Sequence, residues 1–208
     1  MIKSNTINDF HNIYYNSRVW ENTFYFGNQI LKCPLDMWIY QEIIFELRPK
    51  ILIETGTFMG GSALYYAHLF DIIGDGIVVT IDVLGRNGRP NHPRITYVDA
   101  DSANPELPKI IQEASNMKEF SLIILDSDHS EEHVSKELAV WSPHVSVGGY
   151  IVVEDTNVNG HPARPDHGPG PMEAVCDFLE SNLNFKNDAN REKFMMTQNP
   201  NGWLRRYY

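Results

Sequence analysis

The chain is poor in cysteine, and its only two, Cys33 and Cys176, stand too far apart for a disulfide framework or a zinc knuckle. Both are expected as reduced core residues. It has no block of Lys or Arg, and 27 acids against 17 Lys and Arg leave a formal charge of −10. That excludes nucleic acid as the main partner, because phosphate binding needs a basic face. No stretch approaches the ~20 apolar residues of a membrane span. The opening Met1-Ile-Lys-Ser-Asn-Thr6 lacks the apolar run of a secretory signal, so the expected address is cytoplasmic. Gly-x-Gly-x-x-Gly and Gly-Lys-Ser/Thr are missing as well, which makes NAD and ATP poor fits.

What is present reads as one α/β domain over 1–208, with a cap segment at 1–49 and a core at 50–208. The organising stretch is Ile51-Leu-Ile-Glu-Thr-Gly-Thr-Phe-Met-Gly-Gly-Ser62. An apolar run stopping at Glu54 predicts a buried strand, the glycines a loop, and the following residues a helix to about Ile73. Gly56 and Gly60 lack the Cβ that would hold a ligand off the backbone, and the next helix presents its amides to the same crevice. Glycine used only for tight packing is the plainer alternative.

Before this stretch, residues 1–33 are rich in Tyr, Phe, Trp and Asn without clean periodicity. Short helices with irregular connections are expected, their aromatics covering one end of the core. Pro34 suits the first turn of a cap helix that Pro49 halts. From residue 51, strands are predicted near 51–54, 77–82, 94–98, 121–125 and 150–154, with helices near 61–73, 105–116, 131–141 and 170–182. Gly74-Asp-Gly76 and Gly148-Gly149 are the turn signals. Such alternation implies a doubly wound, mostly parallel sheet with right-handed crossovers. Lys193–Thr197 and Trp203–Tyr207, flanking Gln-Asn-Pro-Asn-Gly202, predict a C-terminal antiparallel hairpin.

Ligands of open α/β sheets bind outside the carboxyl ends of strands, and four of the five strands here end in an acid. Asp82 can accept both ribose hydroxyls of an adenosine. Asp101 and Ser102 follow the third strand, where turn and N-cap roles are equally open. Asp126 after the fourth strand and Glu154-Asp155 after the fifth converge if those strands are neighbours. Three unneutralised carboxylates cannot crowd together without raised pKa values, so a divalent cation such as Mg²⁺ is the economical explanation. His129, three residues beyond Asp126, can take a proton from a hydroxyl held there, or can merely precede the N-cap Ser130. His133 reads as structural or surface. In the proline-stiffened loop 155–171, His161, Arg164, Asp166 and His167 can hydrogen-bond a polyol or an anionic substrate, with plain solvation the alternative for any one of them.

Glu54-x-Gly56-x-x-x-Gly60-x-Ser62 resembles the first motif of class I S-adenosylmethionine-dependent O-methyltransferases. Longer strings, Leu125-Asp-Ser-Asp-His-Ser130, Val153-Glu-Asp-Thr-Asn-Val-Asn-Gly-His-Pro162 and Gly168-Pro-Gly-Pro-Met-Glu-Ala-Val175, are similar to the cephalosporin hydroxylase and rhamnosyl O-methyltransferase family. Lys32-Cys-Pro-Leu-Asp36, Arg191-Glu-Lys-Phe194 and Asn199-Pro-Asn-Gly202 also fit. The resemblance implies a Rossmann-like seven-stranded sheet and S-adenosylmethionine bound by Glu54, Gly56, Gly60, Ser62, Asp82, Asp101, Ser102 and Asp126. It also implies Mg²⁺ on Asp126, Glu154 and Asp155, and methylation of a hydroxyl on a sugar, glycolipid or specialised metabolite; with Asp126 and His129 read as catalytic, His129 is a departure, since the catechol-type enzymes have a lysine at the matching place. A homo-oligomer fits the family. The alternatives are a noncatalytic cofactor-binding partner of another enzyme and an iron(II) oxygenase built on His129.

Overall fold

In the computed structural model, residues 4–208 are described; Met1-Ile-Lys3, part of the stretch read for a signal sequence, lie outside them. The elements in chain order are α1 (Ser4–Asn16), a 3-10 turn (Val19–Asn22), β1 (Phe24–Tyr25), β2 (Asn28–Gln29), α2 (Pro34–Leu47), β3 (Ile51–Thr55), α3 (Gly61–Ile73), β4 (Ile77–Asp82), β5 (Ile95–Asp99), α4 (Leu107–Ser115), β6 (Phe120–Leu125), α5 (Glu131–Trp141), β7 (Val145–Val153), α6 (Pro171–Ser181), β8 (Phe185–Asn187) and β9 (Trp203–Arg206). Short 3-10 turns at Ser142–His144 and Ala189–Glu192 complete the order.

Seven strands form one sheet in the order β5-β4-β3-β6-β7-β9-β8. The first five pair in parallel and β9 joins β7 and β8 antiparallel. Parallel strands covered on both faces must be apolar throughout, and β3 and β6 are, except at their ends. Side chains alternate across the sheet. Ile51, Ile53, Ile123, Ile151 and Val153 pack with residues of α4, α5 and α6. Leu52, Leu122, Ile124 and Val152 pack with residues of α2 and α3. The chain winds outward through β3, β4 and β5, then returns to lay β6 beside β3. That reversal opens a crevice at the carboxyl ends of β3 and β6.

The helix limits follow local chemistry. α2 has Pro34 in its first turn and ends on Arg48 in the left-handed region (φ 47°), just before Pro49. Ser130 Oγ caps α5 by accepting from the His133 amide at 3.3 Å.

Four expectations need correction. Residues 193–197 form no strand; β9 pairs instead with β8 at 185–187. The intervening chain is spent on struts, with the Gln198 amide donating to Asp36 (2.8 Å) and Asn199 Oδ1 accepting from the Asp155 amide (3.0 Å). Gly148-Gly149 is not a turn before β7 but a bulge inside it, where the register on β6 jumps from Phe120–Val145 to Leu122–Tyr150. A Cβ on Gly149 would meet the Ser121 carbonyl oxygen at 2.7 Å, which is why the bulge falls there. Cys33 is buried, but Cys176 is exposed because α6 turns Ala174 and Val175 inward. The N-terminal stretch is a 13-residue helix and a small ribbon, and its aromatics line the crevice as well as the core.

Candidate active site

A cleft of about 560 Å³ opens at the crossover. Its floor is the β3–α3 loop and its walls come from the ends of β4 and β6, the start of α5, and the N-terminal segment. Gly56 makes this floor. Its φ is +81°, and a Cβ there would lie far inside contact distance of the Asp126 backbone. Only glycine lets the ends of β3 and β6 come this close. Gly60 serves another purpose: it faces Pro90 and Tyr97, away from the cleft.

At the other end, three carboxylates from two strand ends face two cations. Asp126 Oδ2 accepts from Lys32 Nζ at 2.5 Å, and Glu154 Oε1 accepts from the same ammonium at 2.6 Å. Tyr40 also donates to Glu154 Oε1, at 2.7 Å. His129 sits between the remaining oxygens, with Nδ1 3.3 Å from Asp155 Oδ2 and Nε2 3.5 Å from Asp126 Oδ1. Asp155 has a φ of 54°, an uncommon value for a residue with a side chain, and it turns the chain straight after β7.

The electrostatics follow from burial and proximity. Burial disfavours the Lys32 ammonium, yet Asp126 and Glu154 outweigh it and raise its pKa above the ordinary lysine value. Burial likewise works against His129, but Asp155 and Asp126 raise it to about 9. The same cations overcome burial at Asp126 and hold its carboxyl low. Burial and the Asp126 charge push Glu154 upward, and burial raises Asp155 against the pull of His129. Donor atoms of Asp126, His129 and Asp155 all lie within 4.8 Å of one another, a spacing that suits a metal ion. The two carboxylates are hard oxygen donors of the kind Mg²⁺ takes, and the imidazole adds a nitrogen.

Glu154, expected among the ligands, has its Oε1 held by Lys32 and Tyr40, and His129 lies with its ring nitrogens beside the Asp126 and Asp155 carboxylates. Glu54 is not in the cleft wall. Parity on β3 sends it with Leu52 toward the α2 and α3 face, where Oε2 accepts from Thr80 at 2.7 Å and burial raises its pKa to about 7. Asp82 does line the cleft, but its carboxylate already accepts from the Phe58 and Leu84 amides (both 2.9 Å) and from Arg89 (3.1 Å). Ser62 and Ser102 line the cleft; Asp101 does not, and it bonds the Ala103 amide of its own turn. His133 is a wall residue rather than a surface one, 3.3 Å from Ser102 Oγ. In the long loop, Arg164 reaches the cleft, whereas His161 is spent on Glu173 at 2.9 Å.

Sequence reasoning missed Lys32, Tyr15 and Trp20. Lys32 left a signal, being the one Lys or Arg between Arg18 and Arg48. Tyr15 and Trp20 form a wall with rings 5.4 Å apart, packed on Val158 and Ala163 of the long loop.

Known proteins resemble this chain in sequence and in fold. The family model described as Rhamnosyl O-methyltransferase/CmcI matches residues 17–207. The rhamnosyl O-methyltransferase of Mycobacterium tuberculosis is 42% identical over 203 residues, 94% of this chain and 83% of that protein. The Mycobacterium leprae rhamnosyl O-methyltransferase is 38% identical over 202 residues, 94% and 88% of the two chains. A solved structure of CmcI with Mg and SAM superposes with a TM-score of 0.65 at 21% identity, covering 90% of this chain and 78% of that one, so the two share a fold.

Proposed function

The chain belongs to the Rhamnosyl O-methyltransferase/CmcI family, and on that premise we propose that it transfers a methyl group from S-adenosylmethionine to a hydroxyl of a sugar-containing acceptor. The observation that carries this reading is the meeting of Asp126, His129 and Asp155 at one end of a cleft floored by the Gly56 loop.

Cofactor contacts fall to the residues that line the cleft: Gly56, Ser62, Asp82 and Ser102. Asp82, fixed by two backbone amides and Arg89, presents its carboxylate to the ribose in one orientation. Gly60, Glu54 and Asp101 act indirectly, by shaping the loop and the turn. Asp126 and Asp155 would hold a divalent cation, joined by the oxygen of Glu154 that Lys32 and Tyr40 leave over. Bound there, the ion would lower the pKa of an acceptor hydroxyl and stabilise the alkoxide.

His129 is the proton acceptor. In the metal-free site its two carboxylate neighbours keep it protonated near neutral pH. A cation held by Asp126 and Asp155 would take up the charge that supports the imidazolium, and His129 would then offer a ring nitrogen as a base. The oxygenase alternative has less footing, since the cluster contains one imidazole where an iron facial triad takes two.

The test is a transfer assay. With Mg²⁺, purified protein should convert S-adenosylmethionine to S-adenosylhomocysteine on a rhamnosylated acceptor. Asp126→Ala and Asp155→Ala should lose transfer while cofactor still binds in calorimetry. Undiminished turnover after exhaustive chelation would remove the metal from the reading, and cofactor binding with no product on any sugar acceptor would favour a noncatalytic role.

A further inference from the structure

Lys32 has no part in the chemistry above, yet it is one of the most deeply placed charges in the molecule. Its side chain is 4% exposed. It arrives from the connection between β2 and α2, where Leu31 has a φ of 55°, and reaches two carboxylates 94 and 122 residues away in the chain. A nucleophilic or basic role is excluded, because an ammonium shared by two carboxylates has no lone pair to offer. A purely architectural role is a poor account too: a lysine spent on packing has no reason to end on two of the three carboxylates that meet beyond β6 and β7.

The geometry points to Lys32 as an internal counter-cation, a positioning residue that neutralises the Asp126–Glu154 pair in the absence of metal and holds down the affinity of the site for a divalent cation. The inference rests on the cation-site reading above. Without a cation the Asp126 and Glu154 carboxylates, only 19% and 6% exposed, repel one another, and the ammonium supplies the missing charge. When a divalent ion arrives, the same ammonium becomes a like charge held against the shared ligands, and its repulsion weakens binding. Two effects therefore oppose each other in a Lys32 variant. Loss of a partner that orients ligands usually weakens metal binding by 10- to 100-fold, as an order-of-magnitude expectation. Loss of a buried like charge strengthens it. Tyr40 also orients Glu154, and Thr55 Oγ1 accepts from the Asp126 amide at 3.2 Å, so orientation survives and the charge effect wins.

The experiment titrates Mg²⁺ into metal-free wild type, Lys32→Met, Lys32→Gln, Lys32→Arg and Asp155→Ala by calorimetry and follows unfolding temperature with and without the ion. The neutral variants should bind Mg²⁺ at least about tenfold more tightly than wild type, unfold at a lower temperature without metal, and gain more from it. Lys32→Arg should stay within about threefold of wild type in affinity. Equal or weaker binding in both neutral variants would overturn the counter-cation role while leaving the cation site standing. If neither neutral variant folds without the ion, recovery of the wild-type unfolding temperature on adding it supports the role, and failure to recover overturns it. Should wild type show no saturable binding that Asp155→Ala removes, the site reading itself fails and this inference falls with it.

Discussion

A Cβ placed on Gly56 would lie 1.7 Å from the carbonyl oxygen of Asp126. The residue that opens the loop after β3 and the residue that leads the acidic cluster thus touch through their backbones, and the cleft exists because one of them is glycine. Gly56→Ala should lower stability by about 2–4 kcal/mol, combining the left-handed φ with the overlap. Gly27→Ala, at a φ of +80° with nothing within 4 Å, should cost only about 1–2 kcal/mol. Urea unfolding of both compares the two directly, and equal losses would mean that the contact with Asp126 is of no consequence.

His129 makes the metal-free protein sensitive to alkaline pH. Its folded pKa of about 9 lies above the ordinary histidine value of 6.5, so its contribution is complete below pH 6.5 and disappears as pH rises through 9. The side chain is one-third exposed, which screens the effect to on the order of 1 kcal/mol. Urea midpoints measured with chelator at pH 6.5 and 9.5 should fall in wild type and stay level in His129→Asn.

His11 predicts the opposite behaviour at acid pH. Burial lowers it to about 4, and its neutral Nε2 accepts from Asn157 Nδ2 at 2.9 Å, tying α1 to the loop after β7. A depressed histidine stabilises above its unfolded value and loses that contribution as pH drops from 6.5 toward 4. Docking of α1 should weaken by about 2 kcal/mol over that interval. Hydrogen exchange in Ser4–Asn16 should quicken at pH 5, and His11→Gln should show little further change; exchange indifferent to pH would contradict the tie.

Trp20 closes the N-terminal side of the cleft, its indole nitrogen donating to the Tyr15 carbonyl at 2.9 Å. In Trp20→Ala the acceptor KM should rise about tenfold with kcat nearly unchanged, the pattern of lost uniform binding. Cofactor affinity should not move. A fall in S-adenosylmethionine binding instead would place Trp20 at the cofactor end.

Much of this architecture is legible along the chain because it is local. Apolar runs of strand length ending in acids mark β3, β4, β6 and β7, and the helices between them follow from caps and turn residues. The tail was less legible, since Lys193–Thr197 has a strand-like pattern but spends its neighbours on Asp36 and Asp155. The idiosyncratic string Asn199-Pro-Asn-Gly202 makes sense only as a strut beneath the acidic turn. Glu54 shows how a shift of one position matters: it ends a strand as Asp126 and Asp155 follow theirs, yet its parity turns it into the core.

The amino-acid pattern alone determined a parallel sheet with a glycine-floored crevice and carboxylates at its rim, because period, cap and turn chemistry act over a few residues. Which of those carboxylates face one another, and that a lysine from the cap segment lies between two of them, was decided only when distant segments packed. Contacts across 94 or 122 residues leave no periodic trace; they arise where burial, register and charge are satisfied together.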